Sequence, residues 1–483
     1  MKNIVAGSII IAVAAAFLFY LFDSPVLDVG FLWNLKLAFL GAIGLVIASG
    51  IFFRYEQTKK FLPYVFAFLI SQTGFSYDLK PGYTTSFNEI LTVFIFVIWF
   101  FRKSLKSSEG IQPVYFKNNL FAYLLLAFTG VLVASFIFQI NTDNILDEFK
   151  SYVLYLFYLI LIPECIDDQK ELNRILFFMV LLSLLPITRG MLSAGEIHDT
   201  SVERLGVTTW GALNIFVGYI VPLFFLAYAY FVDSKIGVKR IFLLVYLVIV
   251  IYLSVLSQTR TGWLAIIVGI IGFNFLSAKK INKNILIFSF VIVAAFSLLK
   301  LSGFEATEII VHRVEDRTLN PDHPLRVRFE RAEVAWAIAR NYPLTGTGWG
   351  GWLPLYGDGT VGDTPTDLLP RWHNGYLEIL SQLGFPGLIA FLLLWWKIIS
   401  NEYKSLKMAQ ADVEQSSLMY TGLFVSVAAC LVYAAGEQQL YRIETASHTY
   451  FLAGLLLASG KLARASRQSN KADQRTKKVG FRF

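Results

Sequence analysis

Residues 372–397 read WHNGYLEILSQLGFPGLIAFLLLWWK, and the rest of the chain is organised around this stretch. It is an apolar run of membrane-spanning length that opens on a polar pair, His373-Asn374, directly after the longest hydrophilic stretch, residues 302–372. An ionisable side chain at the mouth of a membrane helix is a candidate functional residue, because charge in lipid is costly. The alternative is that His373 only caps the helix at the level of the lipid headgroups.

The composition predicts an all-α polytopic transmembrane helical bundle. The chain has 483 residues, of which 56% are hydrophobic and 16% charged, whereas soluble domains carry about 25% charged residues. Apolar runs of spanning length recur from end to end. Fourteen membrane helices are predicted, near 4–22, 31–53, 60–76, 87–102, 118–139, 151–165, 171–189, 211–232, 240–258, 261–278, 284–301, 373–397, 416–435 and 443–460.

This count divides the chain into N-terminal membrane helices (1–301), a large outer loop (302–372), C-terminal membrane helices (373–460) and a basic tail (461–483). The tail is polar, and we expect it to be disordered and to lie against anionic lipid. Basic residues concentrate in alternate connections, which places both termini in the cytoplasm. The net charge of +8 therefore reports orientation and not nucleic-acid binding.

The outer loop is predicted to contain structure of its own. Over residues 324–342 apolar side chains recur at helical spacing, which predicts an amphipathic helix lying on the membrane surface. The stripe consists of Leu325, Phe329, Ala332, Trp336 and Ala339. Arg328 and Arg331 lie off that stripe. Residues 346–351, GTGWGG, formally match a nucleotide-binding pattern, but no predicted strand precedes them, so we interpret them as a close-packed turn.

Three candidate residues fall on the outer side, each within a few residues of a helix start: Arg204, Arg260 and His373. We therefore expect them to meet in one layer of the membrane. Each has a simpler interpretation. Arg260 could extend to lipid phosphate, and Arg204 could pair with Glu203.

The residue types favour phosphate chemistry without a metal. No H-E-x-x-H motif is present, and the two cysteines support neither a disulfide framework nor a thiolate metal site. Two arginines can neutralise the charge that develops on a diphosphate leaving group. An imidazole that is neutral near pH 7 can accept a proton from an attacking sugar hydroxyl.

At these residues the chain resembles the O-antigen ligase and O-antigen polymerase superfamily. His373-Asn374, nine residues, Gly384, two residues and Gly387 reproduce the family pattern H-[NSQ]-x9-G-x-x-[GTY]. Residues 260–264 reproduce R-x3-L, and Arg204 followed by Asn214 looks like the family's earlier outer arginine and the helix after it. Arg331 through residues 343–348 looks like the stretch that precedes the family histidine. The resemblance covers roughly residues 200–390.

The resemblance implies a C-type glycosyltransferase membrane fold in the bacterial inner membrane, with an active site facing the periplasm and neither metal nor cofactor. The implied reaction moves a glycan from undecaprenyl diphosphate to an acceptor, which is a lipid A core, a glycan or a protein. Arg204 and Arg260 would hold the diphosphate, and His373 would position or activate the acceptor hydroxyl. The expected substrate-binding residues are Asn214, Arg328, Arg331, Asn374 and Tyr376.

Other functions remain open at this point. A polymerase would join lipid-linked repeat units with the same donor chemistry, and the histidine pattern favours the ligase. A lipid-linked oligosaccharide flippase would carry charged residues in the middle of its helices, for which Lys36 is the clear candidate. A non-catalytic scaffold would not need the outer arginines.

Overall fold

The computed structural model describes residues 59–71, 76–80, 83–86, 92, 95–97, 99, 119–137, 145–194, 213–277, 281–303, 324–349, 373–412, 414–437, 439–440 and 443–480. The chain divides into two compact units. The smaller, Met1–Leu62 with Ile90–Ile111, contains few described residues; the larger, Pro63–Glu89 with Gln112–Phe483, carries the features below. The predicted helices 4–22 and 31–53, together with Lys36 and Arg204, lie outside the described residues.

The elements of the described chain are mainly α-helices. They are α1 (Leu62–Ser71), α2 (Asn119–Ile137), α3 (Ile145–Cys165), α4 (Gln169–Leu182), α5 (Leu184–Ala194), α6 (Leu213–Asp233), α7 (Val238–Leu256), α8 (Arg260–Leu276), α9 (Ile281–Leu301), α10 (Pro324–Asn341), α11 (Gly375–Asp412), α12 (Glu414–Ala434) and α13 (Ile443–Gly480). A 3-10 turn, Lys59–Phe61, comes before α1.

One antiparallel hairpin departs from the predicted all-α fold. Strands β1 (Ser76–Lys80) and β2 (Tyr83–Ser86) pair Ser76 with Ser86. The sequence between them is Pro-Gly, two residue types common in turns, and β2 is rich in tyrosine and threonine, which favour strands. The hairpin lies in a connection between predicted membrane helices and leaves the helical bundle intact.

Five helical segments of the described chain are long and apolar enough to cross a membrane: Gln169–Leu192, Asn214–Asp233, Val238–Leu256, Gly375–Ala411 and Ser417–Ala434. Shorter apolar helices are Leu120–Ser135, Tyr155–Cys165, Arg260–Leu276 and Phe288–Leu301. The described part is thus a helical membrane bundle, as its composition predicts. The total of fourteen spans stays a prediction.

Helices α6 and α12 form the centre of the bundle. Small residues let them approach closely, as is typical of membrane helices. A Cβ added at Gly422 of α12 would lie 2.6 Å from the Cβ of Ala229 in α6. The Ser426 hydroxyl donates to the carbonyl oxygen of Pro222 at 2.7 Å. Close backbones and an interhelical hydrogen bond therefore hold these two helices together.

A bend in α11 occurs at Gly384, whose φ of 66° and ψ of −169° are not helical. Pro386 has no N–H to donate to the carbonyl of Gln382, four residues earlier. The N–H of Gly348 donates to that carbonyl instead, at 3.0 Å. The bend thus presents helical backbone oxygens to the segment that follows α10.

This segment, residues 343–349, packs against the bend through its backbone. The N–H of Thr347 donates to Ser381 O at 3.0 Å, and the N–H of Phe385 donates to Pro343 O at 2.9 Å. Gly346 has a φ of 60°, and its Cα lies so close to the α11 backbone that a Cβ would have no room. The predicted close-packed turn is confirmed for Gly346 and Gly348, whereas Gly350 and Gly351 lie outside the described residues.

Trp349, at the end of this segment, is buried in the bundle. Its ring lies 4.4 Å from that of Tyr152 in α3, measured between ring centroids. Tyr152 in turn hydrogen-bonds the hydroxyl of Tyr450 in α13 at 2.7 Å. The tryptophan therefore anchors the outer segment to two membrane helices.

The helix predicted in the outer loop is present as α10, and the side chains of its predicted apolar stripe are divided between buried and exposed positions. Ala335, Ile338 and Ala339 are buried, whereas Phe329 and Trp336 are 70% and 43% exposed. The bundle therefore covers one face of α10, which packs against α11. The exposed aromatic side chains remain available to the membrane surface, which stays a prediction.

The prediction of a disordered tail is wrong for residues 461–480, because α13 continues to Gly480. Lys461 Nζ donates to the carbonyl oxygens of Pro163 and Ile166 at 2.7 and 2.8 Å, where α3 ends. Arg464 Nη1 lies 3.3 Å from Oε1 of the buried Glu402 in α11. These contacts come from other helices, and the tail's own composition gives no sign of them.

Candidate active site

A buried carboxylate, Glu437, joins three of the residues that the sequence predicts for the site. It lies just after α12, and its side chain is 4% exposed. Its Oε1 accepts a hydrogen bond from Arg328 Nη2 at 2.8 Å. Its Oε2 accepts one from Asn214 Nδ2 at 2.7 Å and lies 3.2 Å from His373 Nδ1. Residues from α6, α10 and the start of α11 therefore meet at one carboxylate.

The turn that carries Glu437 is held by α11 on one side. The N–H of Gly375 donates to the carbonyl oxygen of Glu437 at 3.2 Å. The Asn374 side chain donates to the carbonyl oxygen of Ala435 at 2.9 Å. These two bonds tie the turn after α12 to the first residues of α11.

The same turn is held by α6 on its other side. Pro222 has no N–H for the carbonyl of Gly218, four residues earlier in α6. Gln439 Nε2 donates to that carbonyl at 3.0 Å and lies 3.1 Å from Thr449 Oγ1 in α13. A buried backbone carbonyl needs a hydrogen-bond donor. The proline in α6 leaves the Gly218 carbonyl without its helical donor, and Gln439 of the turn supplies one.

His373 occupies the residue before the α11 capping position, with a φ of 50°. Left-handed backbone is uncommon outside glycine, although histidine adopts it more often than most residues. The side chain of Asn374 then accepts from the N–H groups of Tyr376 and Leu377, at 3.0 and 3.1 Å, and starts the helix. This turn directs the His373 ring towards Glu437, while the side chain stays 34% exposed.

Arg260 is the first residue of α8, and this helix starts beside the Glu437 turn. The hydroxyl of Thr259 lies 3.5 Å from Asn214 Oδ1. A Cβ added at Gly436 would contact the side chain of Thr261. The residues on both sides of Arg260 thus contact the residues that surround Glu437. The Arg260 side chain itself is partly exposed.

Arg328 and Arg331 lie one turn apart on α10, and both are partly exposed. Both are predicted to bind substrate. The structure pairs the guanidinium of Arg328 with Glu437, and substrate binding by both arginines stays a prediction. An unpaired buried carboxylate is strongly destabilising, so the ion pair with Glu437 gives Arg328 a structural role.

Two other predicted substrate-binding residues use their polar atoms within the protein. Asn374 caps α11 and contacts Ala435 through its amide. The hydroxyl of Tyr376 donates to the carbonyl oxygen of Leu431 at 2.8 Å. Both side chains therefore join α11 to α12 and set the position of His373.

Glu437 is absent from the predicted site. Its signal in the sequence is weak: a single acidic residue in a short outer connection between two apolar runs, near residues 435–442. That connection lies on the predicted outer side, as do His373 and Arg260. Glu437 is an ionisable residue at the end of a membrane helix, so the argument that singles out His373 applies to it as well.

The described residues contain no group of three or more His, Cys, Asp or Glu side chains that could hold a metal ion. The cluster at Glu437 has one carboxylate and one imidazole, with an arginine and an amide as its other members. Such a set can orient a histidine and balance charge. Arg204 belongs to the chain outside the described residues, as do residues 350–372 of the outer loop.

Part of the chain matches a known protein family. Residues 243–392 match the family model described as O-Antigen ligase. The match includes Arg260, Arg328 and His373 and the bend at Gly384. No curated protein matches the chain. Residues 243–392 of this multi-pass membrane protein are therefore similar to the O-antigen ligase family, which supports the resemblance to the O-antigen ligase and polymerase superfamily.

Proposed function

We propose that this protein transfers a glycan from undecaprenyl diphosphate to an acceptor at the periplasmic face of the bacterial inner membrane, as an O-antigen ligase. The observation that carries the proposal is the cluster at Glu437 together with the family match. The matched segment contains the start of α8, with Arg260, and His373. Contacts through Asn214 connect the two.

The proposed reaction is a displacement at the anomeric carbon of the donor glycan. The acceptor hydroxyl oxygen attacks this carbon, and the bond from the carbon to the diphosphate oxygen breaks. His373 takes the hydroxyl proton. Arg260, with Arg204, binds the diphosphate and stabilises the negative charge that it gains on leaving. No step in this scheme requires a metal ion or a cofactor.

The topology belongs to the same proposal. The predicted orientation places the start of α8, the turn after α12 and the start of α11 on one side of the membrane. The three contact one another through Asn214, Thr261, Gly436 and Glu437, which supports a common side. We assign this side to the periplasm, and the C-type glycosyltransferase fold with it.

A test separates the base from the diphosphate site. Purified protein in detergent is given a lipid-diphosphate-linked glycan and an acceptor, and both transfer and donor binding are measured. His373→Ala should reduce turnover by about 10²–10⁴ while donor binding persists. Arg260→Ala should impair both. If His373→Ala keeps normal turnover and loses donor affinity, histidine is a phosphate ligand and the proposed base is wrong.

The polymerase alternative shares the donor chemistry. A deletion strain distinguishes them by the glycan that accumulates. Lipid-linked polymer of normal length, not attached to an acceptor, would identify a ligase. Single lipid-linked repeat units would identify a polymerase.

A further inference from the structure

The Glu437 carboxylate is surrounded by hydrogen-bond donors. Arg328 contributes a guanidinium N–H at 2.8 Å and Asn214 an amide N–H at 2.7 Å. The orientation of the Asn214 amide is supported on its other side, where the Thr259 hydroxyl donates to Oδ1 at 3.5 Å. One of these donors, the Arg328 guanidinium, is cationic, and a cation pairs with an ionised carboxylate. An ionised carboxylate, which only accepts, fits this environment.

The third partner of this carboxylate is His373 Nδ1, at 3.2 Å. A neutral imidazole carries one N–H and one lone pair, and the hydrogen bond made by one nitrogen decides which tautomer is present. Because the carboxylate can only accept, Nδ1 must carry the proton. Nε2 then has the lone pair and is the atom able to take a proton from a substrate.

We propose that Glu437 is a positioning residue that holds His373 in the Nδ1–H tautomer and thereby makes Nε2 the base for the acceptor hydroxyl. This inference rests on the proposed function, since it assigns a role to the partner of the proposed base. The acceptor proton moves to Nε2 as the new glycosidic bond forms and the electron pair of the broken bond leaves with the diphosphate. Nδ1–H stays bonded to Glu437, whose negative charge stabilises the imidazolium. Glu437 itself takes no proton.

The backbone around Glu437 makes this arrangement rigid. Gly375 and Asn374 tie the turn to α11, and Gln439 ties it to α6 and α13. A base is effective only when its ring is held in the productive orientation. Arg328 balances the carboxylate charge from α10, so the helix of the outer loop contributes to the same arrangement.

Glu437→Gln is the informative variant, because it keeps the size of the side chain and removes the double acceptor. An amide has one accepting oxygen and one donating nitrogen. If the amide nitrogen of the Glu437→Gln variant faces His373, Nδ1 must accept the hydrogen bond and the imidazole proton moves to Nε2. If the amide nitrogen faces Arg328, two hydrogen-bond donors oppose each other. We expect turnover to fall by about 10²–10⁴, with the donor dissociation constant unchanged within about twofold. Glu437→Asp, which keeps the carboxylate, should retain more turnover than Glu437→Gln.

Glu402→Gln provides a matched control. Glu402 is also buried and also paired with an arginine, Arg464, and it accepts from the Tyr420 hydroxyl at 2.6 Å. It lies about 40 Å along α11 from Gly375. Glu402→Gln should lower the stability of the bundle and leave turnover per folded molecule unchanged. A loss of turnover in this control equal to that of Glu437→Gln would overturn the assignment, because any buried carboxylate would then have the same effect.

The tautomer can be observed without a variant of Glu437. Protein labelled with 15N-histidine is studied by solid-state NMR in lipid, and the His373 signals are identified by their loss in His373→Gln. Wild-type protein should show a protonated Nδ1 and an unprotonated Nε2. An Nε2–H tautomer in wild-type protein would refute the proposal. So would a Glu437→Gln variant with wild-type turnover.

The two proposals fail differently. If His373→Ala transfers glycan normally, the proposed base is wrong, whatever tautomer NMR shows. If His373→Ala is inactive while Glu437→Gln is fully active, the base stands and the role of Glu437 is wrong.

Discussion

Replacing Gly384 with alanine should lower the free energy of unfolding by about 2–4 kcal/mol. Two effects contribute. The φ of 66° with ψ of −169° is a conformation that glycine alone adopts easily, and forcing it on alanine costs about 1–3 kcal/mol. The new Cβ would also lie 2.6 Å from Pro343 O, so that the hydrogen bond from Phe385 N, worth about 1 kcal/mol, would be displaced.

Gly130→Ala is the matched control. Gly130 lies inside α2, and no atom would lie within 4 Å of an added Cβ. This substitution should be neutral or should stabilise by up to about 1 kcal/mol, because alanine is the better helix former. Both variants are compared with the parent protein by unfolding in mixed detergent and SDS. Equal stability of Gly384→Ala and Gly130→Ala would refute the account of the bend.

Gly346 tests the same contact from the opposite side. Its φ is 60°, and an added Cβ would collide with the backbone of Gln382. Gly346→Ala should also destabilise. Because the two glycines share one interface, the double variant with Gly384→Ala should lose less than the sum of the single losses. Additive losses would show that the segment after α10 and the bend act independently.

Three further outcomes test the candidate site. Arg260→Lys should be nearly as damaging to donor binding as Arg260→Ala, because a point charge does not reproduce the two parallel hydrogen bonds of a guanidinium to phosphate; normal donor affinity in the lysine variant would leave only a general electrostatic role. Transfer by purified protein should survive excess EDTA, and a loss that magnesium or manganese restores would overturn the metal-free mechanism. Asn374→Ala should destabilise by about 1–2 kcal/mol through loss of the α11 cap and should reduce turnover through His373 with little effect on donor binding; a selective loss of donor affinity would instead support the prediction that Asn374 binds substrate.

The sequence predicts the bundle well because its signals are local. Apolar runs of spanning length locate the membrane helices, and the bounds of α6, α7 and α8 differ from the predicted ones by a few residues. The apolar run that begins after His373-Asn374 predicts α11. Proline and glycine in the middle of that run explain its bend. Each of these inferences depends on residues within one or two helical turns.

The contact between the bend in α11 and residues 343–349 could be predicted only in part. Both stretches are recognisable as motifs, and the glycines in each indicate a close approach of backbone. Their contact with each other is visible only in the structure. A glycine in the sequence indicates that backbone approaches closely at that position, but it does not indicate which segment approaches. The continuation of α13 past residue 460 is similar, because Lys461 and Arg464 find their partners on α3 and α11.

The centre of the candidate site was decided by tertiary structure. Glu437 is separated by 64 residues from His373, by 109 from Arg328 and by 223 from Asn214. Hydrophobic periodicity places each of these residues at the end of a helix, but it does not determine which ends lie side by side or how each helix is rotated. The arrangement and rotation of the helices follow from close packing at glycines and from the need to neutralise a buried carboxylate. They also follow from carbonyls that a proline leaves without a helical hydrogen-bond donor. The sequence alone could therefore propose His373 as a base, whereas only the packed bundle shows the carboxylate that orients it.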